Sequence, residues 1–346
     1  MNTRTTKILI IRRSALGDTI HTLPLAKALR DIYPDAQLDW IVEDKAAQFV
    51  VNNPLLDNVY VIHKKSGGIK EFCGLISEIR HQKYDIVIDT QQLLKSAAIM
   101  GLSGGKRRIT LSDGREFSGI FANEIIKTDR RQFDIHYHVV KRNLEIGAYL
   151  GADTDNIEFV LPPSSQTSID KAKSLMSQCS PDKKTVIIAP ETTWANKHWT
   201  AENWKKVIDY LKGRVNLVYT GTKNDNGLSK AILSEVGEND VINLCGQTNL
   251  EELTEIFKLS DLVITPDSGS AHIAWATGIP AIITLFFATS AERTAPFGEK
   301  YFSVQSETPC SPCMKKKCVL KINNECVQAV NFEEIVKLIN KVLQFE

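Results

Sequence analysis

Two turns that contain glycine, each placed where a hydrophobic strand gives way to a helix, constrain the fold of this chain most strongly. The first, residues 14–19, follows the strand-like run 7–11, and the second, residues 265–272, follows the run 261–264. Ligands of open α/β sheets bind at the carboxyl ends of strands. Glycine at such a turn lets backbone N–H groups approach an anion at the start of a helix. The two turns therefore predict two α/β domains that face each other, with a ligand between them.

Strand-like and helix-like patterns alternate along both halves of the chain, which predicts parallel sheets with helices on both faces. The other strand candidates are residues 38–42, 59–62, 85–88, 185–189, 215–219 and 279–285. Prolines and polar residues interrupt the periodicity at 161–166, so we predict two domains, 1–163 and 164–346. Apolar residues recur at helical spacing in 332–343, which predicts a last helix packed on a domain.

The composition is that of an ordinary globular protein without a strong net charge. Of the 346 residues, 43% are hydrophobic and 24% are charged, and the formal charge is +1, so no overall field favours nucleic acid. Seven cysteines are too few for a disulfide scaffold and fit a reducing compartment. The apolar run 8–11 is too short for a signal peptide, and the uncharged stretch 271–291 is broken by Gly278 and Pro280. We therefore expect a soluble, cytoplasmic protein.

The alternation also fits dinucleotide-dependent dehydrogenases and P-loop proteins, but the phosphate-binding motifs of both classes are missing. Gly17 stands alone after the first strand, where the dinucleotide fingerprint requires three glycines. The glycine-containing segment 101–106 has neither the spacing nor the following residue of a Walker A loop. The sequence therefore supports neither class.

Three segments carry a more specific pattern than the alternation does. They are residues 12–24 (RRSALGDTIHTLP), 191–199 (ETTWANKHW) and 267–272 (DSGSAH). In order and separation they resemble glycosyltransferase family 9, the bacterial lipopolysaccharide heptosyltransferases, across essentially the whole chain. The Thr-Thr and Lys-His-Trp pattern is closer to the heptosyltransferase I type than to the II type. The resemblance implies a GT-B architecture, in which two Rossmann-like domains face each other across a cleft. It places the acceptor on the N-terminal domain and the nucleotide-sugar donor on the C-terminal one.

Transfer of a sugar from a nucleotide diphosphate requires a base for the acceptor hydroxyl and positive charge for the departing diphosphate. Asp18 suits the first role, since it lies at the turn after the first strand. The alternative is that Asp18 caps the helix expected over residues 19–30, which is a common role of Asp. The resemblance implies the catalytic base at this position, and it implies that Arg12 and Ser14, at the same turn, contact the acceptor.

The second role belongs to Lys197 if the resemblance holds, since the family has a lysine against the donor phosphates and a point charge suits that task. The alternative is a solvated surface lysine. Thr192 and Thr193 are candidates to donate hydroxyls to phosphate oxygens, with an ordinary loop end as the alternative. If the threonine after Trp199 caps the next helix, Trp199 and Trp204 occupy the two positions of a hydrophobic staple, so packing explains them.

The second glycine turn completes the predicted donor site. Asp267, Ser268 and Gly269 stand at the start of a helix, where backbone amides hold an anion. His272 lies one turn further on, facing either the phosphates or the core. Asp225 follows the strand candidate 215–219 and is a candidate to bind the ribose hydroxyls.

A basic segment is the candidate for contact with the acceptor. Residues 106–142 contain nine Lys or Arg and five Asp or Glu, a local excess of four positive charges (9 − 5). A heptosyltransferase acceptor, an anionic lipid of the lipid A/Kdo type at the membrane surface, carries carboxylates and phosphates that such a segment suits. The alternative is a solvated loop face.

Four cysteines near the C-terminus raise the question of a metal. Cys310, Cys313, Cys318 and Cys326 give the pattern C-x2-C-x4-C-x7-C. Four thiolates hold structural Zn²⁺ in many proteins, but this spacing is looser than that of paired zinc knuckles. Reduced thiols or a disulfide are the alternatives to zinc.

Together, these expectations predict an inverting transferase that moves heptose from ADP-heptose to the Kdo/heptose inner core of lipopolysaccharide. No cofactor is required: Asp18 and Asp267 come from different domains, and no turn pairs two acids for Mg²⁺. We expect no nucleic-acid partner and no transmembrane segment, and action in the cytoplasm at the inner face of the inner membrane. Two other functions remain open, a nucleotide-sugar epimerase of the GT-B type and a non-catalytic nucleotide-sugar-binding protein.

Overall fold

The computed structural model describes residues 5–63, 68–128, 134–223, 227–234, 236–237, 240–318 and 325–345. The chain divides into two compact units, Met1–Pro163 and Ser164–Glu346. We call them the N-terminal unit and the C-terminal unit. A parallel β-sheet forms the centre of each.

In the described part of the N-terminal unit, six parallel strands form one sheet in the order β3-β2-β1-β4-β5-β6. These strands are β1 (Lys7–Ile11), β2 (Gln37–Glu43), β3 (Asn58–Ile62), β4 (Ile86–Asp89), β5 (Arg107–Leu111) and β6 (Glu124–Ile126). The helices are α1 (Leu16–Ile20), α2 (Leu23–Ile32), α3 (Ile69–Gln82), α4 (Leu94–Leu102) and α5 (Val139–Tyr149). Short 3-10 segments occupy Asp44–Phe49 and Ser118–Phe121.

Helices cover both faces of this sheet, which is why the sequence of β1 is an unbroken hydrophobic run. Ile8 and Ile10 pack with residues of α2 and α5 on one face. Leu9 and Ile11 pack with residues of α3 and α4 on the other. All four of these β1 side chains are completely buried.

The described part of the C-terminal unit repeats this plan with six parallel strands in the order β9-β8-β7-β10-β11-β12. These strands are β7 (Thr185–Ile188), β8 (Asn216–Tyr219), β9 (Ile242–Asn243), β10 (Leu262–Pro266), β11 (Ile282–Phe286) and β12 (Tyr301–Gln305). The longer helices are α6 (Gln166–Met176), α7 (Ala201–Leu211), α8 (Leu228–Leu233), α9 (Leu250–Lys258), α10 (Gly269–Ala276) and α13 (Phe332–Leu343). The short helices are α11 (Ala291–Thr294) and α12 (Glu325–Gln328), and a 3-10 turn spans Ala195–Lys197.

Each sheet therefore reverses its strand order between its first and fourth strands, as in doubly wound dinucleotide-binding folds. In the N-terminal unit the reversal lies between β1 and β4, and in the C-terminal unit between β7 and β10. The crevice outside the carboxyl ends of these strands is where such sheets bind ligands. Both predicted turns lie at such a point.

The fold confirms the predicted α/β class and the last helix, whose bounds are Phe332–Leu343 and whose Ile335 and Ile339 are completely buried. The uncharged stretch 271–291 forms most of α10, a turn and β11, as expected. Among the described residues, no helix combines the length and the apolar character needed to cross a membrane.

Two expectations differ from the structure. The helix expected over residues 19–30 is divided into α1 and α2, because Pro24 lacks an N–H group and starts the second helix near its N-terminus. The sequence patterns also give no sign of β5, β6, β9 or β12. β5 begins with two arginines and β9 has two residues, so neither forms an apolar run of the length typical of a buried strand.

Candidate active site

Asp18 lies at the start of α1, directly after the carboxyl end of β1. Its side chain is 43% exposed, and Oδ2 forms an ion pair with Nη2 of Arg12 at 2.8 Å. The same oxygen accepts a hydrogen bond from the N–H of Ala15 at 3.2 Å. Asp18 is therefore the third residue of α1 rather than its N-cap, although its carboxylate does satisfy one backbone amide there.

Arg12 and Ser14, the predicted acceptor contacts, are both held inside the unit. Arg12 is only 7% exposed, and its Nη1 donates to the carbonyl of Thr90 at 2.6 Å. Ser14 Oγ accepts from Nε2 of Gln91 at 3.3 Å. Arg12 thus contacts Asp18 directly, through an ion pair at 2.8 Å.

Sequence analysis did not single out Gln91, which fixes the backbone of the Asp18 turn. Its Oε1 accepts from the N–H groups of Arg13 at 2.7 Å and Ser14 at 3.1 Å. Gln91 follows β4, which pairs with β1 only in the folded sheet. Polar residues directly after the 85–88 strand candidate were a local signal, but only the strand order shows that they meet the first turn.

Asp89 at the end of β4 is a completely buried carboxyl in the same network. Oδ1 accepts from the N–H groups of Gln91 at 2.9 Å and Gln92 at 3.0 Å, and Oδ2 accepts from Ser96 at 2.9 Å. Burial raises the pKa of Asp89 to about 6, against the opposing effect of these hydrogen bonds and of Arg12. The turn after β4 therefore contains a carboxyl that titrates near neutral pH.

In the C-terminal unit, Lys197 is buried, which excludes the alternative of a solvated surface lysine. It is 8% exposed, and its Nζ forms an ion pair with Oδ2 of Asp267 at 3.0 Å. The other carboxylate oxygen, Oδ1, lies 3.6 Å from Nε2 of His272 and accepts from Thr294 at 3.4 Å. His272 thus faces the turn, not the core alone. The residues after β7 and β10 meet at one point.

This cluster has a defined electrostatic character. Burial alone raises the pKa of the Asp267 carboxyl, but the charges of Lys197 and His272 and hydrogen bonds from Thr289 and Lys197 outweigh it. The net effect is a pKa below the ordinary value, so Asp267 is ionised at neutral pH. A second lysine is close, since Nζ of Lys197 and Nζ of Lys316 lie 5.0 Å and 5.8 Å from the centre of the Trp194 ring.

The remaining predicted donor residues lie around this cluster. Thr192 is half-buried, and its Oγ1 is 3.5 Å from the carbonyl oxygen of Asp267, whereas Thr193 is exposed. Ser268 is the N-cap residue of α10 and Gly269 its first residue, so their amides belong to the helix end that has no intrahelical acceptors. Asp225 lies outside the described residues.

The two tryptophans pack in the core, as the staple interpretation predicts. Thr200 is the N-cap of α7, and its hydroxyl accepts from the N–H of Asn203 at 3.2 Å. Trp199 and Trp204 are completely buried, with their rings edge to face at 5.2 Å. Packing in the core thus accounts for both tryptophans.

The four cysteines near the C-terminus lie within electrostatic reach of one another. Burial is the largest cause that raises the pKa of the Cys326 thiol, and the neighbouring Cys310, Cys313 and Cys318 raise it further. All are free cysteines, which argues against a disulfide. Across the described ranges, no group of three or more His, Cys, Asp or Glu side chains is arranged to hold a metal ion. The segment that contains Cys313 and Cys318 contacts the turn that carries Lys197, since Nδ2 of Asn196 donates to the carbonyl of Lys315 at 2.5 Å.

The basic segment is not a uniform positive face. Arg107 pairs with Glu124 at 2.7 Å, and the buried Arg142 pairs with Asp113 at 2.5 Å. Lys106 pairs with Asp85 at 2.7 Å. Ion pairs within the unit therefore neutralise several of the basic side chains in this segment. Two of its arginines, at 130 and 131, lie outside the described residues.

The chain is similar to known proteins over most of its length. The model of glycosyltransferase family 9 (heptosyltransferase) matches residues 73–323. Lipopolysaccharide heptosyltransferase 1 of Pseudomonas aeruginosa is 26% identical over 339 residues, which is 92% of this chain and 89% of that protein. Lipopolysaccharide heptosyltransferase 1 of Salmonella typhimurium is 27% identical over 88% of this chain and 94% of its own length.

Solved structures give the same result for the fold. A glycosyltransferase of family 9 from Veillonella parvula superposes with a TM-score of 0.82 at 20% identity, covering 99% of both chains. E. coli heptosyltransferase WaaC, solved with ADP, superposes with a TM-score of 0.73 at 21% identity, covering 97% of this chain and 100% of that one. At these identities the similarity confirms the predicted GT-B type of α/β fold.

Proposed function

The chain belongs to glycosyltransferase family 9, the heptosyltransferases, and we propose from this premise that it moves heptose from ADP-heptose to the Kdo/heptose inner core of lipopolysaccharide. Heptosyl transfer in lipopolysaccharide synthesis follows from the family and from the curated relatives. The donor, the acceptor and the mechanism that follow are our proposal.

The observation that carries the proposal is the cluster of Lys197, Asp267 and His272 at the reversal point of the C-terminal sheet. Lys197, Lys316 and the first amides of α10 place positive charge where a diphosphate would bind. Asp267 holds Lys197 in place, so the lysine is oriented before the donor arrives. The E. coli relative was solved with ADP, which supports adenosine diphosphate as the leaving group here.

The proposed reaction inverts the anomeric carbon in one displacement. The acceptor hydroxyl oxygen attacks that carbon while its bond to the diphosphate oxygen breaks, and ADP leaves with the electron pair. Asp18 accepts the hydroxyl proton, since its carboxylate is exposed and held by Arg12. Lys197 stabilises the charge that develops on the diphosphate. Ser14 and Arg12 contribute to the acceptor side by fixing the Asp18 turn.

We further propose that the enzyme works without a metal, in the cytoplasm, at the inner face of the inner membrane. The positive charge that a divalent ion supplies to a diphosphate in other enzymes comes here from lysine and helix amides. The lipid-anchored acceptor requires that the enzyme reach the membrane surface.

The test is a transfer assay with purified protein, ADP-heptose and Kdo₂-lipid A, with products identified by mass spectrometry. We expect one heptose added per acceptor and a change of anomeric configuration. UDP-sugars serve as the control for donor choice. Turnover of ADP-heptose that does not need an acceptor indicates an epimerase, and tight ADP-heptose binding without turnover indicates a binding protein. Either result contradicts the proposal.

A further inference from the structure

The crossover between β5 and β6 exposes large apolar side chains. Phe117 is 88% and Ile120 70% exposed, and Leu94 and Ile125 are each 49% exposed. Burial of such side chains normally stabilises a fold, and a cluster of them on a surface marks an interaction site. We call these four residues, with Phe121, the crossover surface.

The members of this surface lie next to one another. The N–H of Leu94 donates to Oε2 of Glu116 at 3.1 Å, which brings the start of α4 to the residue before Phe117. A Cβ placed on Gly119 would lie 3.3 Å from Cδ1 of Ile125, and one on Gly101 would lie 2.7 Å from the ring of Phe121. The crossover therefore packs tightly against α4 while its larger side chains point outward.

The backbone holds Phe117 in this position. Glu116 and Phe117 have φ values of 54° and 56°, a left-handed conformation that costs free energy for a bulky residue. The N–H of Ser118 donates to the carbonyl of Arg115 at 2.9 Å, and the N–H of Arg115 donates to Gln92 at 3.2 Å. The exposed phenyl ring is thus the product of a defined turn.

The charges around the crossover surface favour an anionic partner. Glu124 pairs with Arg107, and Asp113 pairs with Arg142; Glu116 accepts from the first amide of α4. The acidic groups are thus engaged within the unit. Lys95, beside Leu94, and Lys127, just after Ile125, are both exposed. Apolar side chains with lysines at their border are typical of surfaces that bind anionic bilayers.

One end of this surface, at Leu94 and Phe117, lies at the same sheet edge as the Asp18 turn, because Leu94 begins α4 after the carboxyl end of β4. The crossover leaves the carboxyl end of β5, and Asp18 follows the carboxyl end of β1. Gln91 bonds the Asp18 turn, and the adjacent Gln92 donates to the carbonyl of Leu111, at the end of β5, at 3.0 Å. A membrane under the crossover surface is therefore next to the residues that we assign to the acceptor.

We propose that the crossover surface docks the N-terminal unit on an anionic lipid bilayer, with Phe117 and Ile120 inserted among the headgroups. The proposal rests on the proposed function, because a lipid-anchored acceptor is what makes such docking useful. The two inserted side chains hold the enzyme at the depth where the acceptor sugar meets Asp18. Lys95 and Lys127 contact lipid phosphates.

The experiment is cosedimentation of the full chain with vesicles of phosphatidylethanolamine and phosphatidylglycerol, and with neutral phosphatidylcholine vesicles. We expect binding to the anionic vesicles, and at least about a tenfold loss in Phe117→Ser/Ile120→Ser, which removes the inserted apolar groups. Lys95→Gln/Lys127→Gln should weaken anionic binding more than about tenfold. Leu259→Ser, a 44% exposed apolar residue of the C-terminal unit, is the matched control and should bind like the unaltered chain.

Activity assays separate this proposal from the proposed function. Phe117→Ser/Ile120→Ser should lose transfer to vesicle-embedded Kdo₂-lipid A and keep transfer to a delipidated acceptor with the same sugars. The unaltered chain failing to bind anionic vesicles, or the double variant binding them normally, overturns the docking proposal whatever the transfer assays give. A shift from dimer to monomer in the double variant, measured by sedimentation velocity, assigns the surface to a second copy of the chain instead. If the unaltered chain transfers heptose to neither acceptor, the proposed function is contradicted, whereas the docking proposal is not.

Discussion

At the scale of single residues, the two acids assigned to the site lie in opposite surroundings. Asp18 is 43% exposed at its side chain and pairs with one arginine, whereas Asp267 is 7% exposed and pairs with Lys197 and His272. An exposed carboxylate is free to exchange a proton with a hydroxyl. A buried, paired carboxylate has the different task of holding a lysine in position.

Asp18→Asn tests the base. The Asn carbonyl oxygen still accepts from the N–H of Ala15, so the start of α1 should survive, but an amide does not take the hydroxyl proton. We expect kcat to fall by about 10²–10⁴, with the Kd for ADP-heptose nearly unchanged by calorimetry. Asp44→Asn, at another exposed acid of the same unit, should leave kcat unaltered. Near-normal turnover by Asp18→Asn means that Asp18 only stabilises the start of α1 by accepting from the N–H of Ala15.

Lys197→Ala should lower donor affinity sharply and leave acceptor affinity nearly unchanged. It should also destabilise the C-terminal unit by about 3–5 kcal/mol, because it leaves Asp267 buried without its partner. The double variant Lys197→Met/Asp267→Asn removes both charges, so thermal stability should return while donor binding stays weak. Lys184→Ala, at an exposed ion pair, is the control. Equal losses for donor and acceptor in calorimetry contradict the phosphate role.

At the scale of elements, the site depends on turns that follow adjacent strands. In the N-terminal unit the turns after β1 and β4 are joined through Gln91, and in the C-terminal unit those after β7 and β10 are joined through Lys197 and Asp267. The conformation of each turn therefore depends on contacts with the neighbouring turn as well as on its own residues.

The turn after β4 should make the stability of the N-terminal unit depend on pH. The Asp89 pKa of about 6 is raised above its ordinary 3.8, so the folded chain binds this proton more tightly than the unfolded chain does. The stabilisation is complete below about pH 4 and is lost as the pH rises through 6. Asp89→Asn does not titrate, its Oδ1 still accepts from the two backbone amides, and its Nδ2 donates to the Ser96 hydroxyl in place of the bond that Oδ2 accepts. It should therefore be more stable than the unaltered chain at pH 8, by about 3 kcal/mol at most.

The measurement for Asp89→Asn is the melting temperature between pH 4 and pH 8. The difference from the unaltered chain should widen between pH 4 and pH 6 and then stay constant. Asp35→Asn, at an exposed position of the same unit, should show no such widening. A constant difference over the whole range shows that Asp89 does not titrate there.

At the scale of the whole molecule, both units use the same strand order with different residues at the reversal point. The N-terminal unit has a carboxylate, an arginine and a glutamine there, whereas the C-terminal unit has a buried lysine, a buried carboxylate and a helix N-terminus. One arrangement suits proton transfer and the other suits an anion. The proposed function assigns these two tasks to the two halves of the chain.

Metal independence is a prediction about the whole enzyme. Activity should be unchanged in excess chelator and should not rise with added Mg²⁺, because lysine and helix amides balance the diphosphate. Elemental analysis of the same preparation reports on the four cysteines, since a structural zinc gives about one metal per chain. Activity that chelation abolishes and Mg²⁺ restores contradicts the mechanism.

The sequence by itself determined the α/β class, the positions of the glycine turns and the staple tryptophans, because each depends on a short local pattern. The roles of Asp18 and Lys197 came from the resemblance to family 9 and stay predictions. Only the tertiary structure decided that Gln91 and Asp89 lie beside the Asp18 turn, and that Lys197 pairs with Asp267. These contacts join residues about 80 or 70 positions apart. They exist because parallel strands far apart in the chain become neighbours, and no local periodicity records which strands will pair.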